Sequence, residues 1–235
     1  MSEAWSQIAL RYAKVSDDIR QRFLHPAMRE AIKEDVTLRS NCLDYGCGPG
    51  ELALSLASLF EKIVLVDAAP DALIEASKKL GPRAAALSPS EFYATEEMFN
   101  AIVFSMVLTT IPTDNEVEYL LCELAVRLRK EGKLIIGTTH PCFTFTALSQ
   151  ISYSSSGSSY AVQIEPGLEI TEYHRPLSRI LDLLAKAGLR ILRAREIYDT
   201  PNYYLERGEE PSRYAGILPI FLVLTCDCPT IQESK

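Results

Sequence analysis

The sequence predicts an α/β protein built on a doubly wound, mainly parallel sheet. Three observations carry that expectation. Short apolar runs alternate with helix-period stretches from Cys42 to Thr138. Glycines cluster at Gly46, Gly48 and Gly50, where the first apolar run turns into a helical stretch. A later run, Ala101 to Ser105, is apolar with little break, as suits a strand covered on both faces. Alternation of this kind implies right-handed crossovers between parallel strands.

Each element has its own signal. Residues 3–36 read as helical, with Trp5, Ile8, Ala9 and Tyr12 on one stripe and Pro26 starting a second stretch, Ala27 to Ile32. Cys42 to Tyr45 is a strand, followed by a helix from Glu51 to Phe60 with Leu52, Leu56 and Leu59 on one side. Lys62 to Val66 is the second strand and Asp71 to Leu80 the second helix, stopped by Gly81-Pro82. Arg83 to Leu87 and Ala101 to Ser105 are the third and fourth strands. Asn115 to Arg129 is a helix ending at Lys130-Glu131-Gly132, before a fifth strand, Lys133 to Thr138. The rhythm then breaks. Residues 141–175 form a long excursion rich in Ser and Thr, of the kind that is functional or disordered. Leu177 to Ala187 is a helix, Leu189 to Ile197 a sixth strand, 199–214 a second excursion and Gly216 to Cys226 a last strand.

Composition bounds the partners. With 235 residues the chain can bury about 70% of its unfolded surface and needs no staple. No repeat or second core divides it, so residues 1–235 are expected to be one domain. Acids outnumber bases 31 to 24, which argues against nucleic acid as main partner. The start lacks a basic, apolar leader, and the longest apolar run, Ile217 to Leu224, is broken by Pro219. A soluble cytoplasmic protein with no membrane partner is expected. Its six cysteines show no C-x-x-C pair, so reduced thiols and no metal site are expected.

The sharpest signal is Leu43-Asp44-Tyr45-Gly46-Cys47-Gly48-Pro49-Gly50-Glu51, at a strand-to-helix turn. Glycines there let a ligand approach backbone amides with no Cβ in the way. Asp67 ends the second strand, 21 positions after Gly46, where a carboxylate can accept both hydroxyl protons of a ribose. A helix N-cap is the plainer reading of Asp67, as a bare tight turn is of the glycines. A dinucleotide site needs G-x-G-x-x-G, but the third glycine position here is Glu51. Asp44 at the mouth of the turn suits an ammonium group better than a pyrophosphate.

These residues resemble the class I S-adenosylmethionine-dependent methyltransferases of the small-molecule type. Leu43 to Gly50 is similar to their glycine motif, and Val64-Leu65-Val66-Asp67 to their second-strand acid. Trp5-x-x-x-Ala9-x-x-Tyr12, Glu131-Gly132-Lys133-Leu134 and Tyr173 to Leu177 before Ala187-Gly188-Leu189 extend the likeness. The resemblance implies a Rossmann-like sheet of about seven strands with an antiparallel last strand, preceded by N-terminal helices. It implies S-adenosylmethionine as cofactor. Asp44 and the backbone of Gly46, Cys47, Gly48 and Gly50 would hold its methionine part, and Asp67 its ribose. Ala68 and Ala69 would lie against the adenine, and Leu87 and Ser88 at the adenine edge, where the family often has an acid. Ser105, Met106 and Leu108 would line the cofactor, and Tyr12 would cover the sulfonium unless it packs in the core.

The place after the fourth strand reads Ser105-Met106-Val107-Leu108, not the Asn/Asp-Pro-Pro-Tyr/Phe of enzymes that methylate nucleobase or glutamine amino groups. A small-molecule acceptor in specialised metabolism is therefore expected. Candidate bases are His140, after the fifth strand, and His174, where the first excursion returns; each can also be read as a structural histidine, His174 the more readily. Phe143, Phe145 and Tyr160 could wall the acceptor pocket. Residues 1–36 would form a cap, and the excursions 141–175 and 199–214 a lid or substrate region. Two other readings stay open: a lyase that cyclises the same cofactor and releases methylthioadenosine, and a non-catalytic subunit that binds it.

Overall fold

The computed structural model describes residues 11, 18–143, 152–165 and 167–229. A π-helical turn, Arg20–Leu24, leads into α1, His25–Asp35, with Pro26 in its first turn. The alternating core follows: β1 Asn41–Tyr45, α2 Glu51–Leu56, β2 Lys62–Val66, α3 Pro70–Leu80, β3 Ala84–Leu87, α4 Pro89–Tyr93, β4 Phe99–Ser105, α5 Asp114–Ala125 and β5 Leu128–Thr139. Beyond it lie β6 Ser159–Glu165, β7 Leu168–Tyr173, α6 Leu177–Lys186, β8 Arg190–Ile197, α7 Pro201–Leu205 and β9 Phe221–Asp227.

Seven strands form one sheet in the order β3-β2-β1-β4-β5-β9-β8. β1 runs parallel to β2 and β4, whereas β9 is antiparallel to both β5 and β8. This is the Rossmann-like arrangement with an antiparallel last strand. Chain order reverses between β1 and β4, so helices leave the sheet there on opposite faces. One face buries Phe92, Leu120, Leu121, Leu124 and Leu183 beneath α4, α5 and α6. The other buries Leu24 of the π-helical turn, Met28 and Ile32 of α1, Leu52 and Leu56 of α2, and Ala76 and Leu80 of α3.

Several expectations shift in detail. α2 stops at Leu56, because Ala57 and Leu59 take tighter bonds to the third residue back. The last strand starts at Phe221 and not at Gly216. Gly216 is left-handed (φ 71°), and Pro219 has no N–H for the ladder. Lys130–Gly132 is a bend within β5, with Glu131 at φ 67°. Within the first excursion β6 and β7 pair as a separate antiparallel hairpin, from Ser159↔Tyr173 to Glu165↔Leu168. The polar second excursion carries α7.

Candidate functional site

A crevice of about 620 Å³ opens at the carboxyl ends of β1, β2 and β4. Its floor is the Gly46–Pro49 turn, with Asp67 and Ala68 on one side and Ser105, Met106 and Val107 on the other. Arg20 and His25 of the cap reach it from one face of the sheet, and Tyr93 and Tyr119 from the other.

Backbone bonds fix the turn. The amides of Gly46 and Cys47 both donate to the Val66 carbonyl, at 2.7 and 3.1 Å. Gly48 N donates to Asp67 Oδ2 and Ala69 N to Asp67 Oδ1, each at 2.8 Å. Asp67 thereby ties the end of β2 to the glycine turn and keeps lone pairs for a ligand, since a carboxylate has about four acceptor sites. The glycines differ in purpose. A Cβ on Gly46 would stand 2.1 Å from Val107 Cγ2, and one on Gly50 2.8 Å from Ala76 Cβ, so both serve close packing. A Cβ on Gly48 would meet nothing within 4 Å among the described residues, yet Gly48 lines the crevice. Its bare backbone faces space that a ligand can fill.

Asp44 is 1% exposed, and its Oδ2 has no hydrogen-bond partner among the described residues. Burial, then the charge of Asp67, pushes its pKa up to about 7. Burial likewise raises Asp67, against the amide bonds that lower it. Two carboxylates in one water-poor crevice destabilise each other until a cation joins them. His25 lines the same crevice; burial and the Arg20 charge push its pKa down to about 4, so its imidazole is neutral. Met106 holds a left-handed backbone (φ 58°) and donates its amide to the Gly137 carbonyl at 2.7 Å, a costly conformation for a residue with a side chain.

Of the sequence-predicted cofactor residues, Asp44, Gly46, Cys47, Gly48, Asp67, Ala68, Ser105 and Met106 line the crevice. Gly50, Ala69, Leu87, Ser88 and Leu108 do not. Gly50 caps α2 against Ala76, Ala69 is buried beside Ala72, and Leu87 and Leu108 join the core. Ser88 caps α4 in a capping box with Glu91.

The histidines expected to act as bases lie outside the crevice. His140 is buried, its Nδ1 accepting from Cys142 N at 3.2 Å and its Nε2 3.3 Å from Glu196 Oε1. His174 is buried with Nε2 2.8 Å from the Tyr153 carbonyl, beside a separate small cavity. β5 ends where expected, but His140 N bonds to Ile220 O, which sets the residue against β9 and β8. Phe143 packs against the apolar core of the α1 face, and Tyr160 donates its hydroxyl to Glu172 Oε2 at 2.6 Å within the hairpin. Tyr12 and Phe145 lie outside the described residues.

Sequence reasoning missed Arg20, His25, Tyr45, Tyr93 and Tyr119 as crevice residues. Only Tyr45 carried a usable signal, its place between Asp44 and Gly46.

Residues 43–136 match a family model described as a methyltransferase domain. The matched stretch runs from β1 through β5 and contains both carboxylates and the glycine turn. Solved structures share the methyltransferase fold over nearly the whole chain. An S-adenosylmethionine-dependent methyltransferase from Mesorhizobium loti is 19% identical, covers 86% of this chain and 95% of its own, with a TM-score of 0.65. One from Clostridium acetobutylicum is 16% identical over 97% of this chain and 100% of its own, at 0.65. DhpI, in a complex with SAH, is 13% identical over 97% and 94%, at 0.67. No curated protein matches the chain.

Proposed function

We propose that this protein binds S-adenosylmethionine in the crevice and transfers its methyl group to a small-molecule acceptor. The observation that carries the reading is Asp44, a buried carboxylate with an oxygen lacking a partner among the described residues, set beside a second carboxylate. A phosphate ligand would be repelled there, whereas a cationic ligand relieves the repulsion. The open space over Gly48 and the second-strand acid fit the same cofactor. When bound, S-adenosylmethionine supplies a methyl group made electrophilic by sulfonium.

The chain's own residues bind, orient and shelter. Asp44 and the Gly46–Gly48 backbone hold the amino-acid part, and Asp67, already aligned by two amides, takes the ribose hydroxyls. Ser105 and Met106 close the side facing β4. The acceptor enters at the cap end, beside His25. The neutral imidazole there can accept a hydrogen bond from a hydroxyl or amine and so orient the acceptor. Cap side chains exclude water, and alignment supplies much of the rate. The acidic balance of the chain and the sequence after β4 support a small acceptor in cytoplasmic metabolism over nucleic acid. No helix among the described residues is long and apolar enough to cross a membrane.

Calorimetry with S-adenosylmethionine, followed by product analysis with a panel of small alcohols, amines and carboxylic acids, tests the reading. Binding with release of S-adenosylhomocysteine is expected. Release of methylthioadenosine would make the protein a lyase, and failure to bind would remove the assignment.

A further inference from the structure

The crevice does not end at Asp67. It continues past Ala68 to α4 and α5, where Tyr45, Tyr93 and Tyr119 form its wall. Tyr45 follows Asp44 on β1, so its side chain leaves the opposite face of the strand. Its hydroxyl lies 3.2 Å from that of Tyr93. The ring of Tyr119 stands 6.3 Å from that of Tyr93 and is 60% exposed at the rim.

A nucleoside with its sugar at Asp67 and its cationic arm at Asp44 must point its base away from Asp44, toward the end of β3 and α4. Ser88 is the residue at the end of β3, but its polar groups are committed. Its amide and hydroxyl both donate to Glu91 Oε2 at 2.7 Å, and Ser88 does not line the crevice. The polar side chains on this side are the Tyr45–Tyr93 hydroxyl pair, the Tyr119 phenol and, at the start of α5 and just before it, Thr110, Asn115 and Glu116, of which Thr110 donates to Val107 O and Glu116 Oε2 accepts from Thr113.

Resting on the cofactor reading above, we propose that the Tyr45–Tyr93 hydroxyl pair is the specificity-determining contact for the adenine edge, with the Tyr119 ring covering the base. One hydroxyl of such a pair donates to the other. The pair then offers the crevice one free O–H and free acceptor lone pairs. An adenine edge carries the complement, an amino donor next to a ring-nitrogen acceptor. Burial raises the Tyr45 phenol pKa well above its ordinary value, so the hydroxyl keeps its proton.

The test compares two ligands, S-adenosylhomocysteine and its analogue lacking the 6-amino group, against wild type, Tyr45→Phe and Tyr93→Phe by calorimetry. Phenylalanine keeps the ring contacts to Phe92, 5.4 Å from Tyr45 and 5.5 Å from Tyr93, and thermal melts verify the fold. Wild type should prefer S-adenosylhomocysteine about 3- to 10-fold, as one hydrogen bond allows, and either variant should lose most of that preference. An equal preference in wild type and both variants, or none in wild type, overturns the proposal while leaving the cofactor reading intact. A wild-type protein that binds neither ligand overturns both.

Discussion

Burial makes Asp44 a proton-linked group in the proposed cofactor site. Burial and the neighbouring Asp67 charge push its pKa up to about 7 in the folded protein from an ordinary 3.8, so the folded state holds that proton more tightly than the unfolded chain. Its contribution to folding is thus fully present below 3.8 and is lost as pH rises through about 7. Cofactor binding runs the other way, because a cation favours the ionised carboxylate. S-adenosylmethionine affinity should fall about tenfold per pH unit below the Asp44 pKa, and Asp44→Asn should bind weakly with little pH dependence over that range. Calorimetry between about pH 6 and about pH 8 checks this. A wild-type profile as flat as that of the variant would remove Asp44 from the binding reaction. Asp44 and Asp67 were legible because local context announces them: one precedes a glycine turn, the other ends the next strand. Tyr93 has no such context, since only the packing of α4 beside β1 brings its hydroxyl to Tyr45.

The glycine turn and its flanking helices divide function from stability. Gly50→Ala drives a Cβ into Ala76 of α3 at φ 84°, so stability should fall by roughly 2–4 kcal/mol through strain and overpacking. Gly48→Ala meets no atom of the described residues and should lose only about 1–2 kcal/mol for its left-handed backbone. Because that new methyl enters the crevice, Gly48→Ala should weaken S-adenosylmethionine binding at least about tenfold. Denaturant melts and calorimetry on both variants decide the matter; equal losses of stability, or full binding by Gly48→Ala, would contradict it. Within the first excursion, the β6–β7 hairpin escaped sequence reading because its Ser-rich approach hides the period-2 pattern that follows. Its return is fastened by Arg175, which is buried and donates to the carbonyls of Leu108 and Ile111 at 3.0 and 2.7 Å and to Asp114 at 2.8 Å. That clamp joins the excursion to the segment between β4 and α5.

Across the whole molecule, the cap belongs to the same core as the sheet. Met28 of α1 packs so closely on β5 that a Cβ on Gly137 would stand 2.5 Å from its sulfur. The second excursion grips the cap from outside. Tyr203 donates to Asp18 at 2.8 Å and meets the Phe23 ring edge-on at 5.3 Å, while Arg207 pairs with Asp18. Unfolding should therefore be one cooperative transition, with calorimetric and van't Hoff enthalpies equal. A separate early transition assigned to the cap would contradict a single domain.

Alternation of apolar and helical stretches, the glycine cluster and the acid after the second strand were enough to establish the doubly wound sheet and the edge where its crevice opens. Those features depend on local periodicity and on backbone conformations that few residues tolerate. The bases expected in the site show the other side. His140 and His174 stand near the right places in the chain, yet β9, β8 and the hairpin bury both outside the crevice. His25, with an unremarkable place in the chain, is carried into it by the packing of α1 on the sheet. Which side chains meet across a crevice depends on contacts between elements far apart in sequence, and local pattern carries no record of those distances.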